Sequence, residues 1–313
     1  DKIYNLTTKG ITINSGSYNK NGYDFNPPLE YPNHFWSIEP DLRSQIGGPD
    51  GFYFGDLRIA FSSELQFLRN LSLISHASVG VYNNLDELKL ASDSVLPHVR
   101  TDIVEYLQAT KDFGLRRMQL NYYKNPYPEI YAKISMGILE EMFGGIGGEI
   151  LWRPMHHSFA VGAEIWSVKQ RDYDMQFSFL DYETTTGHIN LYYHEPNSRI
   201  TFAMKGGKFL AGDSGVNIDF HRRFESGLRM GAFFALTDIS KEEFGEGSFD
   251  KGFYFSIPIQ AFYSNYSRKL AAWGLKPVTR DGAAFVHHSH TLWSLTEPGQ
   301  RYDIERDWND FYD

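Results

Sequence analysis

In successive segments between about Asp56 and Leu236, interrupted from Asn83 to Arg100, and again from Phe253 to Ile259, apolar side chains occupy every second position of the chain. Successive residues of a strand point to opposite faces, so a period of two predicts extended backbone with one apolar face. Leu57, Ile59 and Phe61 alternate with Asp56, Arg58 and Ser62; Ile130, Ala132 and Ile134 alternate with Glu129, Tyr131 and Lys133. The period alone suits a soluble sandwich or a lipocalin-like barrel as well as a membrane barrel. The polar face separates them. Arg58, Glu64, Arg117, Lys133, Glu149, Arg153, Glu164, Lys205 and Asp219 fall on it among small residues. Charges of both signs beside small residues are expected in a wet lumen, where neighbouring strands pair them. Trp152, Tyr192, Tyr193 and Tyr254 sit near strand ends, where a bilayer's interfacial girdle would place them.

The segments amount to roughly 12 to 16 strands, within the range of outer-membrane barrels. The expected fold is therefore all-β, an antiparallel transmembrane barrel over residues 47–296. Residues 1–46 read as an irregular leader with one hairpin, Ile3 to Thr7 against Gly10 to Asn14, and 297–313 as a polar tail. The last strand is expected to end near Leu295. Two long polar interruptions, Asn83 to Arg100 and Ser240 to Lys251, are separated by an even number of strands and so emerge on one side, assigned to the cell exterior.

Composition narrows the function classes. An aromatic content of 16 % favours strands with interfacial rings over a helical core. No apolar run approaches the roughly 20 residues of a spanning helix, a criterion that membrane strands escape. A net charge of −9 supplies no basic face for nucleic acid, and the absence of cysteine removes disulfides and thiolate metal sites. Asp1-Lys2-Ile3-Tyr4 is not a secretory leader, so a leader has been removed or the chain is part of something longer.

Six segments, taken together and in order, carry a more specific signal: Leu96 to Asp102, Gly137 to Gly145, Val168 to Tyr173, Phe209 to Asp213, Phe244 to Gly252 and Pro277 to Gly282. Between about Ile46 and Thr296 the chain resembles the YjbH/GfcD family of outer-membrane proteins associated with exopolysaccharide and capsule production. Members of that family are longer, often lipid-anchored at an N-terminal Cys, and carry more than one barrel-like region; this chain resembles their C-terminal portion. The resemblance implies a barrel in the outer membrane that acts as conduit or scaffold in polysaccharide secretion or assembly. Its implied partners are outer-membrane lipid, polysaccharide, and periplasmic and lipoprotein components of the same system.

Glu246, Phe249, Asp250 and Lys251 are candidate polysaccharide contacts at the barrel mouth, with the Phe249 ring as a stacking platform; Arg171, Asp213, Arg280 and Asp281 are candidates of the same kind. The commoner use of such composition is a loop tied by its own side chains and glycine turns. Adjacent His156 and His157 point to opposite faces of a strand and do not chelate together, whereas His288 and His290 share a face; surface or lumen histidines remain the simpler reading, and neither a metal nor a cofactor is expected. Lumen carboxylates such as Glu64, Glu149 and Glu164 could serve glycan cleavage, but carboxylates alternating with Arg and Lys more often form a structural lattice. No nucleophile motif stands out, so no catalytic residue is expected; an outer-membrane enzyme acting on glycan or lipid, and a diffusion porin, are the alternatives.

Overall fold

The computed structural model describes residues 30–46, 50–87, 94–224, 226–240, 249–259, 270–275 and 281–300, with residues 243, 262 and 304 singly. Among the described residues, thirteen strands form one antiparallel sheet in strict chain order: β1 Asn33–Ile46, β2 Tyr53–Leu68, β3 Leu71–Asn83, β4 Phe113–Tyr127, β5 Ile130–Ile138, β6 Phe143–Trp152, β7 Phe159–Arg171, β8 Phe179–Glu195, β9 Ile200–Lys208, β10 Ser214–Arg223, β11 Arg229–Thr237, β12 Asp250–Pro258 and β13 Leu270–Leu275. Each strand pairs with the next, and among the described residues no ladder joins β13 to β1. No helix among the described residues is long and apolar enough to cross a membrane.

The two faces differ as the alternation predicts. Along β7, Ala160, Glu164, Trp166, Val168 and Gln170 are buried, while Phe159, Val161 and Ile165 are exposed, Ile165 to 63 %. Along β8, His188, Asn190, Tyr192 and His194 are buried while Ile189, Leu191 and Tyr193 are exposed. The sheet is thus apolar outside and polar inside, the reverse of a water-soluble domain. An ordinary soluble protein rarely exposes so continuous an apolar surface.

Among the described residues, two inserts occupy much of the interior. The connection from β3 to β4, residues 84–112, carries helix α1 at Ile103–Ala109 and packs Val99 and Tyr106 against Leu139, Met142, Phe143, Trp166, Val168 and Leu210. This core stands at the rim that also carries residues 139–142, 172–178 and 209–213. The second insert, residues 281–300, is not a strand. It descends from that rim along the inner face to the opposite rim, ending in the short helix α2 at Leu292–Thr296 and a single 3-10 turn at Glu297–Gly299.

Three boundaries are corrected. Strand β1, Asn33–Ile46, occupies what was expected to be the irregular leader, because its odd positions Ser37, Glu39 and Asp41 face inward while Trp36, Ile38 and Leu42 face out. Residues 281–296, expected to end the barrel wall, are folded inside it. The polar tail begins within the same insert, where Glu297 is buried against Arg229 of β11 at 2.8 Å. Residues 172–178 form a turn before β8. The expected hairpin between Ile3 and Asn14 lies outside the described residues. The 83–100 and 240–251 interruptions join β3 to β4 and β11 to β12, so they leave the sheet at the same rim.

Candidate functional site

Part of the polar inner face grips the 281–300 insert. Lys133 on β5 has a fully buried side chain, 2.6 Å from Glu149 on β6. Its Nζ also lies 3.0 Å from His288 Nδ1 and donates to the carbonyls of Ser289 at 3.1 Å and His290 at 2.9 Å. Glu149 in turn accepts from the Leu292 backbone N–H at 3.3 Å. Glu164 on β7 faces His288 at 3.4 Å, and His188 and Lys205 each at 3.5 Å. Gln119 and Asn121 on β4 bond the backbone N–H and the hydroxyl of Ser289, at 3.0 and 3.2 Å. Extended backbone that pairs with no strand must satisfy its polar groups elsewhere, and here the wall's side chains do so.

Aromatic contacts add to the grip. The His288 ring stacks on Trp166 with centroids 4.3 Å apart, and Trp293 stacks on Tyr192 at 4.0 Å. The Trp166 ring lies against Gly147 of the neighbouring strand, where an added Cβ would come within 2.4 Å of it, so glycine is what lets the indole lie flat beneath the histidine. Arg153 caps the lower end. It donates to the Trp293 carbonyl at 2.9 Å and the Thr296 hydroxyl at 3.0 Å, and its guanidinium lies 3.7 Å from the Trp293 ring centre.

Glu149, Glu164 and His288 offer three ligand atoms within 4.8 Å of one another. A metal ion does not fit that set, because the Lys133 ammonium already lies between Glu149 and His288 and Lys205 neutralises Glu164. His290 does not join it as a ligand; its contribution is the carbonyl bonded to Lys133.

The other lumen candidates have local partners on the same face. Arg58 is buried and donates to Ser78 Oγ at 2.8 Å and the Thr110 carbonyl at 2.7 Å, tying β2 to the end of the first insert. Glu64 accepts from Gln66 at 3.2 Å, and Asp219 accepts from the Tyr254 hydroxyl of β12 at 2.9 Å. Arg117 donates through Nε to the Leu139 carbonyl at 2.7 Å.

The expected polysaccharide contacts fare differently. Arg171, Asp213 and Asp281 are buried and bonded to protein, as in the alternative of side chains that tie the fold rather than contact polysaccharide. Asp281 accepts from the backbone N–H groups of Arg100 and Thr101, at 2.7 and 3.1 Å, and from the Thr101 hydroxyl at 2.9 Å. It therefore locks the two inserts together. Asp213 accepts from Ala283 N–H at 2.8 Å; burial pushes its carboxyl up, and its Oδ1 has no hydrogen-bond partner among the described residues. Lys251, exposed on β12, places its ammonium 4.3 Å from the Phe249 ring centre, so that ring is engaged by its own loop. Glu246 and Arg280 lie outside the described residues.

Sequence reasoning missed Glu140 and Glu141, in the turn from β5 to β6. Glu141 binds both Arg43 of β1 and Arg116 of β4, the latter at 2.6 Å, which requires a sheet curled enough to bring those strands to one side chain. Burial alone would raise its carboxyl, but the two guanidinium groups outweigh that and hold it at about 2. Glu140 moves the other way. Burial pushes it above the usual carboxylate range in spite of Arg100 at 2.9 Å. The signal was the acidic pair inside an apolar turn, Leu139 to Phe143, where unpaired carboxylates would be costly.

The family model described as "Exopolysaccharide biosynthesis protein YbjH" matches residues 12–298. The "Uncharacterized lipoprotein YjbH" of Escherichia coli (strain K12) is 36 % identical over 268 residues, covering 83 % of this chain and 38 % of the relative. The chain thus spans well under half the length of that relative. A solved structure of Salmonella typhi OmpF in complex with daunomycin is similar at 11 % identity and a TM-score of 0.33, over 72 % of this chain and 83 % of that one. With most of its length inside the family match, and with a curated relative at that identity, this chain belongs to the YjbH family of exopolysaccharide biosynthesis proteins.

Proposed function

We propose that the chain is an outer-membrane β-barrel that serves exopolysaccharide assembly or secretion as a plugged component: a scaffold whose interior is closed by its own residues 281–300. The observation that carries this reading is the pairing of an apolar outer face with a charged inner face occupied by polypeptide. The outer face asks for lipid. The inner face, gripped from β4 to β11, is not that of a permanently open diffusion pore, so transport of a polymer would require the insert to move. Family membership supplies the polysaccharide. Periplasmic and lipoprotein partners belong to the same proposal.

Two experiments test its halves. Ile165, at the centre of β7 and 63 % exposed, faces lipid in this reading. Ile165→Arg should then cost about 2–4 kcal/mol of barrel stability in bilayers and deplete the protein from the outer-membrane fraction; equal stability and normal fractionation would remove the membrane assignment. Deleting the gene should lower surface polysaccharide, with polymer retained in the periplasm if the barrel also conducts. Unchanged polymer in both compartments would sink the secretion role.

A further inference from the structure

The second insert leaves one part of the interior unfilled. Beside β1, β3 and β4, under the turn from β5 to β6, lies a cavity of about 420 Å³ lined by Arg43, Arg100, Arg116, Arg117, Glu140 and Glu141 among others. A smaller cavity of about 240 Å³ continues from it past Asp41, sharing His76 and Arg116.

Three of the four arginines are already engaged: Arg43 with Glu141, Arg116 with Asp41 and Glu141, and Arg100 with Glu140 and the Phe285 carbonyl. Arg117 differs. Its Nε is spent on the Leu139 carbonyl, its two terminal nitrogens have no hydrogen-bond partner among the described residues, and the residue lines the cavity. The His76 ring on the facing strand β3 likewise makes no hydrogen bond among them. The larger cavity's own lining carries four guanidinium groups against two carboxylates, Glu140 and Glu141, while Glu39 and Asp41 of the smaller cavity bring the carboxylates around the two spaces to four, so the case for an anion rests on the Arg117 fork. A guanidinium held by Nε alone presents a preformed two-donor fork, the geometry that binds a carboxylate bidentately. Among the described residues no carboxylate forms an ion pair with it: Glu141 and Asp41 meet Arg43 and Arg116, and Glu140, whose charge acts on Arg117 from nearby, meets Arg100.

We propose that this cavity binds an anionic sugar unit, a uronate whose carboxylate docks on the Arg117 fork and whose ring fills the space toward His76. The inference rests on the polysaccharide reading above and sharpens it: the interior recognises acidic glycan rather than neutral glycan. The volume admits one sugar ring with water, not a folded polymer, so the site is a recognition station beside the insert.

Calorimetry on the purified, detergent-solubilised protein tests it directly and independently of any secretion phenotype. Trigalacturonate should bind, and maltotriose of the same length should not. Arg117→Gln should weaken trigalacturonate binding about tenfold or more, the loss of a bidentate charged contact. Lys169→Gln should leave it unchanged, since Lys169 lines a separate groove of about 550 Å³ with Glu183 and Lys208 and not this cavity. Arg117 has one carbonyl bond to lose, and near-UV dichroism verifies that the variant is folded; should it not fold, His76→Gln on the adjacent strand, directly across from Arg117, is expected to weaken binding about threefold. Equal binding of maltotriose, an undiminished affinity in the folded Arg117 variant, or tighter binding of inorganic phosphate than of trigalacturonate would each overturn the assignment. A protein that binds trigalacturonate while its deletion leaves polysaccharide unchanged would retain the site and lose the secretion role.

Discussion

Lys133→Met is expected to loosen the 281–300 insert and to destabilise the protein by about 3–5 kcal/mol, the usual cost of removing one partner from a buried ion pair. Methionine keeps the length of the side chain, so little packing is lost. What disappears is the ammonium that Glu149 meets at 2.6 Å and that the carbonyls of Ser289 and His290 accept from at 3.1 and 2.9 Å. Glu149 is left with the Leu292 N–H, and two carbonyls are left in the wall's interior without their donor. The chain has no cysteine, so Ser289→Cys provides a unique reporter at a position 5 % exposed. Maleimide should label that cysteine slowly in the otherwise unchanged protein and at least about tenfold faster beside Lys133→Met, because the extra opening is worth more than 1.4 kcal/mol. Adding Glu149→Gln to Lys133→Met should recover part of the lost stability by discharging the orphaned carboxylate, a coupling that a double-mutant cycle reads out. Equal labelling rates would show that the insert is held by its rings rather than by this charge.

Arg171→Ala is expected to cost a similar amount, about 3–5 kcal/mol, and to act at the rim. The guanidinium is fully buried and donates to four carbonyls: Glu140 and Glu141 each at 3.0 Å, Gln176 at 2.9 Å, and Met175. Its own carbonyl accepts from the Tyr106 hydroxyl of α1 at 2.5 Å. The side chain therefore laces the 139–142 and 172–178 turns together, and the residue's own carbonyl adds the first insert to the same cap over the interior. Lysine cannot reproduce this, since a single ammonium has no planar fork to span two turns. Urea unfolding should place Arg171→Lys between the unaltered protein and Arg171→Ala, and limited proteolysis of the alanine variant should cut within 172–178 before the strands are lost. A variant of undiminished stability would mean that the four carbonyls find water instead.

The walls were legible in the sequence because a strand writes its orientation locally. Ile165 between Glu164 and Trp166, or Ile189 between His188 and Asn190, reports which face is which from three residues alone. The polar lumen residues were legible for the same reason, and Arg58, Lys133, Glu149, Glu164, Lys205 and Asp219 all lie on the inner face. Their purpose was not. A charge on a strand shows its face, while its partner here comes from 143 or 157 residues further along, as with Glu149 and Leu292 or Lys133 and His290. A cue to the insert was present in His287, His288 and His290, which crowd a stretch where a lipid-facing strand would alternate with apolar residues.

The sequence by itself determined an all-β chain, apolar on one face and charged on the other, and family motifs that tied it to exopolysaccharide production. Only the tertiary structure decided that the interior is occupied, that Arg171, Asp213 and Asp281 are internal ties, and that Arg117 alone among four clustered arginines keeps its fork unoccupied. The physical reason is that face is a property of neighbouring residues, whereas occupancy and pairing are properties of distant segments brought together, and no local period encodes which of two buried charges meets the other.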